Sequence, residues 1–207
     1  MKFCILTTGR SGSTSLYSLL SKHLPLNYYC GLEPFNLSMN RPNTYDVNQK
    51  SIIESEENVL IKTLIGQTQK EIDIEDMYIW LFEHFDKIIL LDRLDKQLQV
   101  ESFSYQMYKN DLKWHDKKRY RMEYVSKDIM DVNIKLLEYS TLKINELSKR
   151  YNKKIYYYED IFLDNNIETI NEIFNLINKT PNKDLLNLWV ISNEKRVRLK
   201  DDEIKLL

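Results

Sequence analysis

The sequence predicts a three-layer α/β fold, with a central, mainly parallel sheet of about five strands flanked by helices. Three observations carry this expectation. Short apolar runs alternate with longer segments whose apolar residues recur at helical spacing. The runs are near-continuous rather than alternating, as expected of strands covered on both faces. A length of 207 residues fits one domain, residues 1–207, with a sizeable core, and leaves too little chain for two ordinary ones.

The chain opens on Lys2–Thr7, a short apolar strand. From Ser13 to about Leu24 the residues Leu16, Leu19, Leu20 and His23 stand at i, i+3, i+4 and i+7, the spacing of one helix face. Leu26–Cys30 reads as a second strand. The segment 36–55 is polar, holds Pro42 and reads as irregular. Val59–Ile65 reads as a third strand with one charge, Lys62, inside it. Ile74, Met77, Tyr78, Leu81, Phe82 and Phe85 form a helical stripe, followed by a fourth strand, Lys87–Asp92. Residues from about 95 to 109 read as helix. A long helix over 128–150 carries Met130, Ile134, Leu137, Ile144 and Leu147. A last strand, Lys154–Tyr158, precedes a helix over 167–178. Ligands of such sheets bind beyond the carboxyl ends of the strands, so the residues after Thr7, Cys30, Ile65, Asp92 and Tyr158 are the places to look.

Composition narrows the function classes. The formal net charge is −1, which gives no overall basic field for nucleic acid, so an anionic ligand needs a local constellation. With 43% hydrophobic and 29% charged residues the chain is a globular rather than a disordered one. Cys4 and Cys30, the two cysteines, lie in apolar or aromatic runs and read as buried free thiols. The apolar stretch Phe3–Leu6 is far shorter than a signal-peptide core, and no run approaches the roughly 18 apolar residues of a membrane span. The expected compartment is the cytosol.

Glycine is scarce, and three of the four glycines fall in the first 31 residues. Two of them frame the loop Thr7-Thr8-Gly9-Arg10-Ser11-Gly12-Ser13-Thr14-Ser15 between the first strand and the first helix. A glycine-rich turn lets backbone approach a ligand, and the N–H groups of the helix start suit phosphate or sulfate. Ser11, Ser13, Thr14 and Ser15 add hydroxyls, and Arg10 adds a charged fork. A serine-rich helix start is equally what simple capping uses, but the arginine between the glycines favours an anion cradle. The arrangement is P-loop-like without being the ATP-binding loop: Gly9 and Gly12 are three apart, and Ser13 stands where the lysine of that motif would be. Cys4-x5-Arg10-Ser11 has the spacing of a tyrosine-phosphatase nucleophile loop, but Ile5 and Leu6 continue a buried strand after Cys4, and a nucleophilic thiolate needs an exposed, electropositive place.

TTGRSGSTSL resembles the 5′-phosphosulfate-binding loop of PAPS-dependent sulfotransferases (PAPS, 3′-phosphoadenosine-5′-phosphosulfate), closest to the carbohydrate and bacterial trehalose-type groups. Three further elements follow in order: Glu33-Pro34-Phe35, similar to an E-P or E-x-F element; Arg93 opening RLDKQLQVESFSY, similar to the 3′-phosphate segment; and Tyr158-Glu159-Asp160-Ile161, similar to a recurrent Y-E-D-L. Together they span residues 1 to about 162. The interval from Arg93 to Ser102, nine residues, is one longer than in most relatives, and Ser104 is a neighbouring candidate. The small-molecule branch has Lys where this loop has Arg10.

The resemblance implies transfer of a sulfuryl group from PAPS to an acceptor hydroxyl, with a saccharide as the expected acceptor, no metal and no nucleic-acid partner. Arg10 and the N–H groups of Ser11, Gly12, Ser13 and Thr14 would neutralise the leaving phosphate, with Ser15 beside them. Arg10 stays protonated, so it is a neutraliser rather than a proton donor. Arg93 with Ser102 would hold the 3′-phosphate, and Glu33 would be the general base. His115 is the second candidate base, whereas His23 lies on an apolar helix face and His84 off its helix stripe. Lys62 is either a snorkelling edge residue or a cation near the site. Trp114, Tyr120 and Tyr124, mixed with Lys117, Lys118 and Arg119, would stack on a sugar, or form a nucleic-acid-like patch or a solvated surface. Glu159 and Asp160 are expected to fix backbone and basic side chains. The run Lys195-Arg196-Val197-Arg198 reads as a solvated tail or an adenosine contact. Two alternatives stand beside this reading: a nucleotide or small-molecule kinase with a degenerate loop, and a non-catalytic nucleotide binder.

Overall fold

A computed structural model describes residues 1–25, 27–35, 49–67, 72–111, 127–163, 166–184 and 186–187. Among these residues five strands, β1 (Lys2–Thr7), β2 (Tyr29–Leu32), β3 (Val59–Leu64), β4 (Lys87–Asp92) and β5 (Ile155–Tyr157), form one sheet in the order β2-β3-β1-β4-β5. Every neighbouring pair is parallel. Among the described residues seven helices accompany them: α1 (Ser13–Ser21), α2 (Gln49–Ser55), α3 (Ile74–His84), α4 (Lys96–Asp111), α5 (Lys127–Tyr151), α6 (Tyr158–Phe162) and α7 (Ile167–Leu176). This is the α/β three-layer architecture expected.

Strand alternation builds the two outer layers. Phe3, Ile5, Leu60, Ile89 and Leu91 turn to one face and pack with Leu16, Leu19 and Leu20 of α1 and Ile170, Ile173 and Phe174 of α7. Cys4, Leu6, Ile61, Ile88 and Leu90 turn to the other and pack with Ile53 of α2, Met77, Tyr78 and Leu81 of α3, and Ile144 and Leu147 of α5. Truncating one of the fully buried strand residues, such as Ile5 to Ala, is expected to cost about 2–5 kcal/mol.

β1 and β4 have the predicted bounds, because both are buried along their length and end where the backbone turns polar. Others differ. The second strand lies further along the chain than Leu26–Cys30: the backbone turns at Pro25, and pairing begins at Tyr29 opposite Val59. Gln49–Ser55, inside the segment read as irregular, is α2; its buried Ile53 joins the core, and Lys2 Nζ donates to the carbonyls of Ile53 and Glu54 at 2.8 and 3.0 Å, a cation on a helix C-terminus. The last strand stops at Tyr157, and Tyr158 opens α6 instead. Cys4 is buried as expected, but Cys30 is exposed, because β2 is an edge strand. Among the described residues no helix is long and apolar enough to cross a membrane.

Adjacent strands β1 and β4 lead away in different directions: β1 into α1 on one face, β4 into α4, which packs on α5 of the other. A crevice opens between such strands at their carboxyl ends, the switch point where α/β sheets bind ligands.

Candidate functional site

The backbone itself marks the crevice. Among the described residues, four non-glycine residues have positive φ: Arg10 (62°), Glu33 (54°), Asn152 and Asn178. Asparagine tolerates this region, but arginine and glutamate adopt it at a cost of about 1–3 kcal/mol. Both strained residues follow strands at the carboxyl edge, Arg10 after β1 and Glu33 after β2.

Between β1 and α1 the loop is held from within. Thr7 Oγ1 and Ser11 Oγ are hydrogen-bonded, and Ser11 Oγ donates to Thr8 O at 2.9 Å. The Ser11 hydroxyl is therefore used by the loop, and the residue is fully buried. Ser13 is also buried, Thr14 is exposed and Ser15 is half-buried. Gly12 caps α1 at φ 77°, with no side-chain hydrogen bond to the first turn. A Cβ at Gly12 would stand 2.6 Å from Phe162 and 2.8 Å from Tyr158, so the loop apex rests directly on α6. A Cβ at Gly9 would meet the Phe103 ring at 2.9 Å. The result is an uncapped helix start framed by tight packing, a geometry suited to an anion.

A buried network ties this loop to α4. Gln99 Nε2 donates to Gly9 O at 2.6 Å and to Thr8 Oγ1 at 2.8 Å; Thr8 Oγ1 donates to Asp92 Oδ1 at 2.6 Å; Lys96 Nζ meets the same oxygen at 2.7 Å. Sequence reasoning did not single out Thr8, Asp92, Lys96 or Gln99. One signal was present: an Asp closing an apolar strand with a Lys four residues on.

Two arginines converge over the crevice. Arg10 Nε donates to Ser102 Oγ at 2.9 Å, which leaves the serine's own proton to be donated onward. Arg93 is buried, its guanidinium lies over the Tyr158 ring at 4.7 Å, and its Nε has no hydrogen-bond partner. Glu159 Oε1 is 3.6 Å from that Nε, but the two carboxylate oxygens accept from the backbone N–H groups of Leu94 and Asp95 at 2.9 and 3.1 Å. Glu159 thus fixes the turn after β4. Desolvation first, and then the neighbouring Arg93 charge, pull the Arg10 pKa below its ordinary value, with Tyr158 opposing. Like charges held together at a helix start leave room for a polyanion.

Ser102 and Ser104 are separated by their helix faces. Ser102 points at Arg10, whereas Ser104 is fully buried and accepts from Asn133 Nδ2 of α5 at 2.9 Å.

At the other end of the carboxyl edge, Lys62 is buried in β3, on the face shared by Leu60, Phe3 and Ile5, and forms an ion pair and hydrogen bond with Glu33 Oε1. It is neither at an edge nor snorkelling, since β3 lies between β2 and β1. Gln67 Nε2 donates to Glu33 Oε2 at 3.1 Å, and Gln67 Oε1 accepts from Thr63 Oγ1 and Leu64 N. Phe35, two residues on, is buried edge-on against Trp80 at 5.9 Å and anchors the segment.

No family model matches the chain, and no curated protein does. Cys4 is fully buried and its thiol is pushed well above its ordinary pKa by desolvation, so it is no thiolate nucleophile and the phosphatase spacing carries no chemistry. His23 is packed: Nδ1 pairs with Leu19 O at 2.8 Å, Nε2 accepts from Asn182 N at 3.0 Å, and the ring sits edge-on to Phe174. His84 is exposed and stacks on Trp80. His115, together with Trp114, Lys117, Lys118, Arg119, Tyr120, Tyr124 and the run 195–198, lies outside the described residues.

Proposed function

We propose that the protein transfers a sulfuryl group from PAPS to an acceptor hydroxyl, with a saccharide as the expected acceptor. The observation that carries the reading is the pairing of Arg10 with Arg93 at the uncapped start of α1. A single phosphate on the loop would need one cation. Two arginines, one with an orphaned, buried Nε, fit a ligand that brings a second anionic group. The residues present therefore fit a nucleotide bisphosphate, with the 5′ end on the Gly9–Thr14 loop and the 3′-phosphate toward Arg93 and Ser102.

PAPS supplies an activated sulfuryl group whose sulfur–oxygen bond to the 5′-phosphate breaks as the acceptor oxygen bonds to sulfur. Arg10 and the N–H groups of the α1 start balance the charge left on that phosphate oxygen. Glu33 takes the acceptor's proton. Lys62 and Gln67 orient its carboxylate, Lys62 on Oε1 and Gln67 on Oε2. No metal enters these steps.

Thermal shift with 3′,5′-ADP against ADP and 5′-AMP tests the reading. A ligand at 100 times its Kd stabilises by about 2.7 kcal/mol, and only the bisphosphate should do so at low concentration. An equal response to ATP, or none to 3′,5′-ADP, removes the sulfotransferase reading. Glu33→Gln is expected to bind 3′,5′-ADP as the wild type does and to lose turnover with labelled PAPS; full turnover moves the base role elsewhere.

A further inference from the structure

Tyr158 touches both halves of the anion site. One part of its ring lies against the loop apex, where a Cβ on Gly12 would come within 2.8 Å of it. Its face carries the Arg93 guanidinium at 4.7 Å. The ring has no room to shift, since Phe162 stacks on it at 4.8 Å with an interplanar angle of 23° and meets Gly12 as well. Besides the ring, Arg93 faces the Glu159 carboxylate, whose Oε1 lies 3.6 Å from Nε without a hydrogen bond while both of its oxygens accept from backbone. Arg10 repels Arg93. An electron-rich ring face attracts a guanidinium and fixes its plane.

We propose that Tyr158 is a positioning residue that sets selectivity for a second phosphate, by holding Arg93 on its ring at a fixed offset from the loop that takes the first. This rests on the bisphosphate reading above. A monophosphate contacts the loop alone and gains nothing from Arg93's placement. A bisphosphate of matching span gains from both, so the ring acts on the ratio of the two affinities rather than on either alone.

The test compares Kd for 3′,5′-ADP and 5′-AMP by calorimetry on the full chain. Tyr158→Phe keeps the ring and is expected to keep the wild-type ratio. Pentafluorophenylalanine incorporated at position 158 keeps nearly the same volume, and with it the packing on Gly12 and Phe162, but reverses the charge distribution of the ring face. It is expected to lower the preference for 3′,5′-ADP about tenfold, with 5′-AMP binding unchanged. In an Arg93→Ala background the same replacement should leave the ratio where Arg93→Ala put it. A wild-type ratio in the fluorinated protein overturns the proposal, as does equal weakening of both ligands, which is what general loss of packing would give. A wild-type protein with no preference for 3′,5′-ADP sinks the bisphosphate reading first and this inference with it.

Discussion

At the β2–β3 end of the carboxyl edge, buried Lys62 and half-buried Glu33 form an ion pair, with Gln67 donating to the second carboxylate oxygen. At the β1–β4 end, Arg10 and Arg93 stand together, and the Glu159 carboxylate beside Arg93 also accepts from two backbone N–H groups. A closed pair is what a chain builds when it must keep a charged group in place with nothing bound. Like charges held together oppose folding, and an added anion relieves them. On the proposed reading, the first end is complete in the folded chain and the second is completed by the ligand.

Removing one charge at each end should therefore have opposite consequences. Lys62→Met removes the buried cation that faces the Glu33 carboxylate, which is expected to cost about 1–3 kcal/mol in urea unfolding; Glu33→Gln added to that variant should recover much of it. A loss below 1 kcal/mol would mean that the pair is solvated and the two ends do not differ. Arg10→Ala is expected to lower turnover about 10²–10³-fold, the usual consequence of a lost donor to developing charge, while urea stability holds or rises because Arg93 is relieved. A clear loss of stability in Arg10→Ala would show that the open end is held together by its arginine.

The smallest effect lies in β1, the strand that ends at the arginine loop. Folded Cys4 keeps its proton above the ordinary thiol value of 9.0, while the unfolded thiol ionises there. The buried thiol's contribution is thus fully present below pH 9 and is lost as pH rises further, by at most about 1.4 kcal/mol per pH unit. Tyr17 and Tyr78, also pushed up by burial, act in the same direction at higher pH. Cys4→Val should show a shallower fall of stability between pH 9 and 10.5 than the wild type, and parallel curves would contradict the assignment.

How much of this was legible depends on whether neighbours or chain order decide it. β1 and β4 could be bounded from sequence because a strand buried on both faces is apolar throughout and ends where it is not. β2 could not, since an edge strand extends only as far as its single partner pairs with it. α2 was hidden because a short surface helix needs one buried residue, Ile53, and otherwise reads as polar chain. Arg10, Glu33 and Arg93 stood out because each follows a strand. Lys62 was visible as a charge in an apolar run, but its partner lies 29 residues away. Ser102 and Ser104, two residues apart on one helix, point to different neighbours, and only the docking of α4 on α5 and on the loop tells them apart. The Thr8–Asp92–Gln99 network is likewise a product of docking.

The left-handed backbone at Arg10 and Glu33 also bears on how this protein responds to engineering. A stability-guided redesign would choose these two positions early, since glycine relieves such strain at no steric cost. Arg10→Gly and Glu33→Gly would each remove the functional group in the act of relaxing the main chain. The two residues that best repay replacement, by the standard of conformational comfort, are the two on which the proposed chemistry turns, so hardening this scaffold has to begin elsewhere.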